Sequence, residues 1–159
     1  MVKEIKPLKR SKQLAPLSRE HHDALVFLLR LKQGLKNGTA SSLMSDYVKW
    51  FWMNNLKHHF DQEERLLLPV LAQEDEMATR LKNEHQTIRS LVSKKLNEME
   101  IALLSELLNS HIRFEERELF PHIERRATAE ELNEIFKQLD HPTQCQTGWT
   151  NKFWTSKKK

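Results

Sequence analysis

The sequence predicts an all-α protein: an antiparallel up-and-down four-helix bundle, followed by a short additional C-terminal helix and a tail. Three observations carry that prediction. Only three glycines and five prolines punctuate 159 residues rich in Leu, Glu and Lys, and no alternating β-branched run argues for a sheet. Apolar residues recur at helical period in four long segments. Each segment also carries a histidine on its apolar side, at positions 21 or 22, 59, 85 and 111, and the midpoints between neighbours fall near residues 40, 72 and 98. The first two midpoints coincide with breaks, at 37–42 and 69–75, as they must if antiparallel helices bring their histidines to one level.

The elements follow in order. Residues 1–17 hold Pro7 and Pro16 and no sustained period, so they read as a tail. Ser18 is the expected N-cap of the first helix, with Glu20 in its first turn. Ala24, Leu25, Leu28, Leu31 and Leu35 form its stripe, and Asn37-Gly38 stops it. Thr39, Ser41 or Ser42 is expected to cap the second helix, which carries Leu43, Tyr47, Phe51, Leu56, Phe60 and Leu67 and runs to about Pro69. Its cluster of Tyr47, Trp50, Phe51, Trp52 and Met53 reads as core packing, with one or two rings covered by tail residues. A third helix starts near Asp75 and is carried by Met77, Leu81, Ile88, Leu91, Val92 and Leu96. Neither glycine nor proline interrupts 91–108, so only the depth rule asks for a turn, near Asn97, a residue that tolerates the left-handed conformation. The fourth helix then runs from about Glu98 to Arg125 or Arg126, with Pro121 as a kink or a fresh start. Thr128 caps a last short helix whose apolar face is Leu132, Ile135, Phe136 and Leu139. The expected organisation is one domain over 1–159: bundle 18–126, short helix 128–140, basic tails 1–17 and 141–159. Trp149, Phe153 and Trp154 give the second tail enough apolar area to lie back on the bundle.

Composition narrows the function classes. The single cysteine, Cys145, forms no internal disulfide, and no apolar run approaches 18 residues, so the expectation is a soluble cytoplasmic protein without a membrane partner. The net charge of +4 resides at the ends: residues 1–12 contribute +4 and residues 152–159 another +4, which leaves −4 for 13–151. A nucleic-acid surface needs its charge on an ordered face, so no nucleic-acid partner is expected.

The polar residues inside the apolar stripes carry the chemistry. His59 continues the seam of Leu56 and Phe60, and Glu63 lies one turn on; His111 follows Leu107 and Leu108, and Glu115 lies one turn on. His85 is in register with Ile88 and Val92. On the first helix the doublet leaves the choice open: His21 is in register with Ala24 and Leu28, His22 with Leu25 and Leu29, and one of the two should point inward. A buried carboxylate without compensating charge is expensive, and metal ions would offset that cost. Four imidazoles and two carboxylates at one level suit iron or manganese, with zinc as a further alternative.

At these residues the chain resembles the hemerythrin-like family of His-His-Glu cation-binding domains. The matching stretches are Ser18-Arg19-Glu20-His21-His22-Asp23-Ala24-Leu25, His59-Phe60-Asp61-Gln62-Glu63-Glu64 with Leu67-Leu68-Pro69, Glu84-His85-Gln86-Thr87-Ile88, and His111-Ile112-Arg113-Phe114-Glu115-Glu116 with Leu119-Phe120-Pro121. The resemblance implies a four-helix bundle around a non-haem di-iron centre, two Fe ions bridged by two carboxylates and an oxo or hydroxo species. Its ligands here would be His21 or His22, His59, Glu63, His85, His111 and Glu115, with Glu63 and Glu115 as bridges. Oxygen-carrying members have a second histidine one turn from the third-helix one; this chain has Leu81 and Arg89 there. That departure opens a coordination position or recruits water or a carboxylate such as Glu64, Glu84 or Glu116, while Arg89 is expected to face solvent. The expected function is binding or sensing of O2, NO or iron and redox state, with a diatomic ligand or peroxide as partner, in a monomer or homodimer. An oxidase-like, peroxidase-like or iron-centre repair activity, or a purely structural metal, is the alternative; no acid–base pair or substrate pocket is legible in the sequence.

Overall fold

Four apolar stripes of helical period, joined by connections too short to cross the molecule, leave an up-and-down bundle as the arrangement that buries all of them. The computed structural model describes residues 10–139 and 148–155. Pro7, Cys145, Pro142 and Lys157 to Lys159 therefore lie outside the described residues.

The first rod is α1 (Ala15–Lys36). It begins three residues before the expected Ser18, because Pro16 sits in the first turn, where its missing N–H costs nothing. The Ser11 hydroxyl, one turn earlier, accepts the Leu14 N–H. Leu14 and Leu17 are fully buried, so the presumed tail is built into the core from that point on. At the other end Gly38 takes φ +71°, and the Thr39 and Gly38 amides return to the Gly34 and Leu35 carbonyls. That pair of bonds is a Schellman stop, and it needs glycine.

The second rod runs through α2 (Ser41–Phe51), a π turn (Trp52–Leu56) and α3 (Lys57–Leu66). None of the expected caps serves it: Ala40 is the N-cap residue and no side chain bonds the first turn. A short 3-10 turn, Leu68–Val70, takes up Pro69. The third rod is α4 (Glu76–Val92), where Asp75 accepts the Met77 N–H as N-cap. The turn demanded by the depth rule is present. Asn97 serves it as N-cap of α5 (Glu98–Phe114) in a reciprocal capping box with Glu100, at φ −89° rather than left-handed. Ser45 of α2 pins this turn by accepting the Leu96 N–H. The fourth rod continues through a second π turn (Glu115–Leu119) into α6 (Phe120–Arg126), so Pro121 falls in the first turn after a wide one. Thr128 caps α7 (Ala129–Gln138) in a second capping box, as its sequence predicts.

Two apolar clusters result, one on each side of a polar layer. One contains Phe27, Leu31, Tyr47, Phe51, Ile88, Leu104 and Leu108. The other contains Leu14, Leu17, Leu67, Leu81, Phe114, Phe120 and Ile123, and α7 closes it with Leu132 and Ile135. The second tail does lie back on the bundle: Trp149, Phe153 and Trp154 pack around Tyr47, and Asn37 donates to the carbonyls of Phe153 and Thr155.

Candidate metal centre

Between the two clusters, each rod contributes one inward imidazole and the second and fourth rods each add a carboxylate. His21, His59, His85 and His111 are at most 3 % exposed, and Glu63 and Glu115 are fully buried. Helical spacing produces this set, because His59 and Glu63 share one face of α3, as do His111 and Glu115 where α5 enters its π turn. The donor atoms fall into two overlapping groups, His21, His59, Glu63 and Glu115, and Glu63, His85, His111 and Glu115, each group lying within 4.8 Å. The two glutamates belong to both. His22, one residue from His21, is exposed and belongs to neither.

The distances give the layer its shape. Glu115 reaches all four rings, at 2.7 Å from His21 Nε2, 3.9 Å from His59 Nε2, 4.0 Å from His85 Nε2 and 3.3 Å from His111 Nε2. Glu63 lies 3.3 Å from His59 Nε2 and 3.1 Å from His85 Nε2. Within each half the rings stand edge to face, with centroids 4.9 Å apart for His21 and His59 and 4.8 Å apart for His85 and His111.

A second ring of carboxylates, which sequence reasoning missed, holds the outer nitrogen of every imidazole. Nδ1 of His21 meets Glu116 at 2.7 Å, that of His59 meets Glu20 at 2.9 Å, that of His85 meets Glu64 at 2.7 Å, and that of His111 meets Glu84 at 2.8 Å. A carboxylate accepts only a proton-bearing Nδ1, so once a ring gives up its other proton the Nε2 lone pair is the one that faces the centre, and the ring is a stronger donor there. Glu64, Glu84 and Glu116, one of the alternatives for filling the place of a missing ligand, are thus turned to the outside of the rings. Arg89 corrects a further expectation. It is half-buried, pairs with Asp61 at 3.0 Å and Glu64 at 2.7 Å, and lies over Phe60. Leu81 is buried in the core.

The pattern repeats by halves. Glu20-His21 and Glu84-His85 each supply an inward ring plus a carboxylate for the neighbouring ring. His59, Glu63 and Glu64, and His111, Glu115 and Glu116, each supply a ring, a central carboxylate and an outer one. Arginines back three of the outer carboxylates: Arg89 on Glu64 and Arg80 on Glu84 in one half, and in the other Arg10, reaching over from before α1, on Glu116 at 3.5 Å. The doublets Glu20-His21 and Glu84-His85, with Glu63-Glu64 and Glu115-Glu116 four residues after a histidine, were the sequence signal for this outer ring.

Imidazoles and carboxylates of the layer shift one another's pKa values. Burial pushes His111 down, but the carboxylates of Glu115 and Glu84 outweigh it and raise its pKa to about 10. The same contest, burial against Glu63, Glu115 and Glu20, leaves His59 well above its ordinary value, and His21 is raised by Glu115 and Glu116 against burial. Burial favours a neutral Glu115, yet His111 foremost among its neighbours holds it well below the usual carboxylate range. Besides Nε of Arg10 and the amide of Gln62, four atoms of the layer have no hydrogen-bonding partner: Nε2 of His59 and His111, and one oxygen each of Glu63 and Glu115. Buried polar atoms are otherwise satisfied almost everywhere in proteins, and these four all face the shared centre. Lone pairs of mixed nitrogen and oxygen type, preoriented by an outer shell, fit two metal ions with the glutamates between them.

Fold and site together define a helical-bundle protein with a buried binuclear His/Glu metal site. The chain belongs to the hemerythrin HHE cation-binding domain family, which it matches over residues 12–123. Neither the curated proteins nor the solved structures provide a match. Among the described residues no helix is long and apolar enough to cross a membrane.

Proposed function

We propose that the protein holds two iron ions, one between His21 and His59 and one between His85 and His111, with Glu63 and Glu115 spanning both, and that it binds or senses O2, NO or the iron and redox state of its surroundings. The observation that carries this reading is the pair of overlapping donor groups, in which every ring nitrogen facing outward is held by a carboxylate. Iron bound there would supply a change of oxidation state and a coordination position for a small ligand. The chain's own residues do the rest: the four outer glutamates fix ring orientation, Glu63 and Glu115 offset cationic charge, and the apolar clusters close the layer from both ends of the bundle. Six glutamates, with Arg10, Arg80 and Arg89 as the arginines that touch them, leave a negative surplus once the imidazoles give up their extra protons, and that surplus favours a highly charged pair of cations.

The test is the metal content of the full chain purified without added metal, read with its visible absorption. Two irons per chain and a charge-transfer band that responds to O2 or NO are expected. An iron-loaded protein without such a band, or without response to either gas, overturns the reading.

A further inference from the structure

Arg10 precedes α1 in a stretch that reads as a solvated basic tail, yet its side chain is only 10 % exposed. We propose that it is a positioning residue of the metal layer, which fixes the His21 ring from outside the four rods. The inference rests on the proposed function for the ion that His21 would hold, and on the chain alone for the placement of the ring.

The need for it begins in the backbone. At the end of the π turn Glu115–Leu119 the Phe120 N–H bonds the Glu115 carbonyl, and Pro121 has no N–H to offer. The Glu116 carbonyl thus loses both its α-helical and its π-helical partner. Inside a packed bundle an unmet carbonyl is costly, and Arg10 supplies the missing donor through Nη2. Nη1 donates to the Glu124 carboxylate at 2.9 Å, and the second oxygen of Glu124 accepts the Ser11 N–H. One residue of α6 therefore fastens the arginine and the chain beside it.

Two contacts carry this anchorage to His21. Glu116 is the carboxylate on Nδ1 of His21, where Ser18 donates to the same oxygen at 2.7 Å, and Nη2 of Arg10 lies 3.5 Å from the other oxygen. The guanidinium also lies over Phe120, 5.1 Å from its centroid, and Phe120 stacks on His21 at 5.5 Å with an angle of 5°. His21 is thus held at its outer nitrogen and on its face by two groups that Arg10 touches. A tie for the N-terminal segment alone would need only the Glu124 end. His85 and His111 depend instead on Arg89 and Arg80, which stand on α4. Arg10 and Glu124 both fall just outside residues 12–123, so the family frame does not include this clamp.

Arg10→Met keeps an apolar chain beside Phe120 and removes every donor. In the metal-free full chain, long-range proton–nitrogen NMR of the imidazoles should show the His21 Nδ1–H exchanging with water about fivefold faster, with His85 and His111 within about twofold of wild type. Glu124→Gln, a milder change away from the layer, should move the same resonance in the same direction by about twofold, and it decides the matter if Arg10→Met fails to fold. In the iron-loaded chain, anaerobic competition titration with ferrous ion should show one of the two ions held about fivefold more weakly and the other unchanged, less than the tenfold or more expected for loss of an outer carboxylate itself. An unchanged His21 resonance overturns the proposal, as do equal changes at all four rings, the mark of a general loosening, or unchanged affinity for both ions in a chain that loads two. Failure of the wild type to load two irons counts against the proposed function alone, because the metal-free resonances still decide for or against Arg10.

Discussion

Replacing Glu84 by glutamine keeps a hydrogen-bond acceptor beside Nδ1 of His111 and removes its charge. The wild-type contact is 2.8 Å long and the side chain is 26 % exposed, with Arg80 on its other oxygen at 2.8 Å. A hydrogen bond to a charged group contributes about 1.5–3 kcal/mol and one between neutral groups about 0.5–1.5 kcal/mol, so the exchange costs roughly 1–1.5 kcal/mol at this ring. Partial exposure and the shared arginine place the loss near the lower figure, a five- to tenfold weaker hold on the metal beside His111. That is near the lower end of the range for outer partners of metal-bound histidines, about tenfold to a hundredfold. The assay is an anaerobic competition titration with ferrous ion against a coloured chelator. Glu118→Gln is the control, since Glu118 touches the same Arg80 at 3.4 Å but no imidazole. Unchanged affinity in Glu84→Gln, or an equal loss in Glu118→Gln, would refute the argument that outer carboxylates tune the site.

Phe60→Ala removes a fully buried ring that contacts Trp52, His85 and His111, and should destabilise the metal-free chain by about 3–5 kcal/mol in urea denaturation; a loss under about 1 kcal/mol would contradict the packing described. Gly34→Ala would place a methyl group 2.6 Å from Phe153 and 2.8 Å from Met44. Overpacking of about 1–3 kcal/mol then exceeds the helix-propensity gain of about 1 kcal/mol, and the melting temperature should fall by about 2–4 °C while metal content stays the same. Asp75→Asn retains an N-cap for α4 but loses the charged partner of His122 at 2.7 Å, the main cause of the lowered Asp75 pKa. A depressed carboxyl pKa stabilises above its unfolded value, about 3.9, and that stability is lost as pH falls through the folded value. Wild type should therefore be the more stable by about 1 kcal/mol near pH 6, with the gap closing towards pH 2; denaturation at both pH values measures it, and a gap of constant size would exclude the pair as its source.

Bundle and inner ligands were legible because burial writes them as periodic patterns. Leu28, Leu31, Leu104 and Leu108 mark core faces, and the equal depth of four histidines located the turn at Asn97 where no glycine or proline marks it. Capping was read less well. Ser18 has the right residue type for an N-cap, but its hydroxyl donates to Glu116 at 2.7 Å, a contact 98 residues away that no local rule contains. The π turns were missed for a similar reason, since Trp52–Leu56 and Glu115–Leu119 are helical by propensity and widen only where the rods meet. Glu20 read as a first-turn charge of the first helix, and Glu64, Glu84 and Glu116 as candidates to replace a missing ligand rather than as partners of Nδ1. Their role depends on which imidazole stands across the groove, and therefore on the packed bundle.

The placement of the four tryptophans gives the molecule two separate optical signals. Trp50 and Trp149 lie 6.1 Å apart beside the returning C-terminal segment, and Trp154 sits under Arg30 at 4.3 Å, all at the end of the bundle stabilised by Asn37 and Gly34. Trp52 instead stands edge-on to Phe60 at 5.5 Å, one ring removed from His85. Its fluorescence is the component coupled to the metal layer, while the other three indoles report whether the C-terminal segment stays docked. A single emission spectrum, resolved by lifetime, can thus follow metal loading and loosening of that segment as independent events.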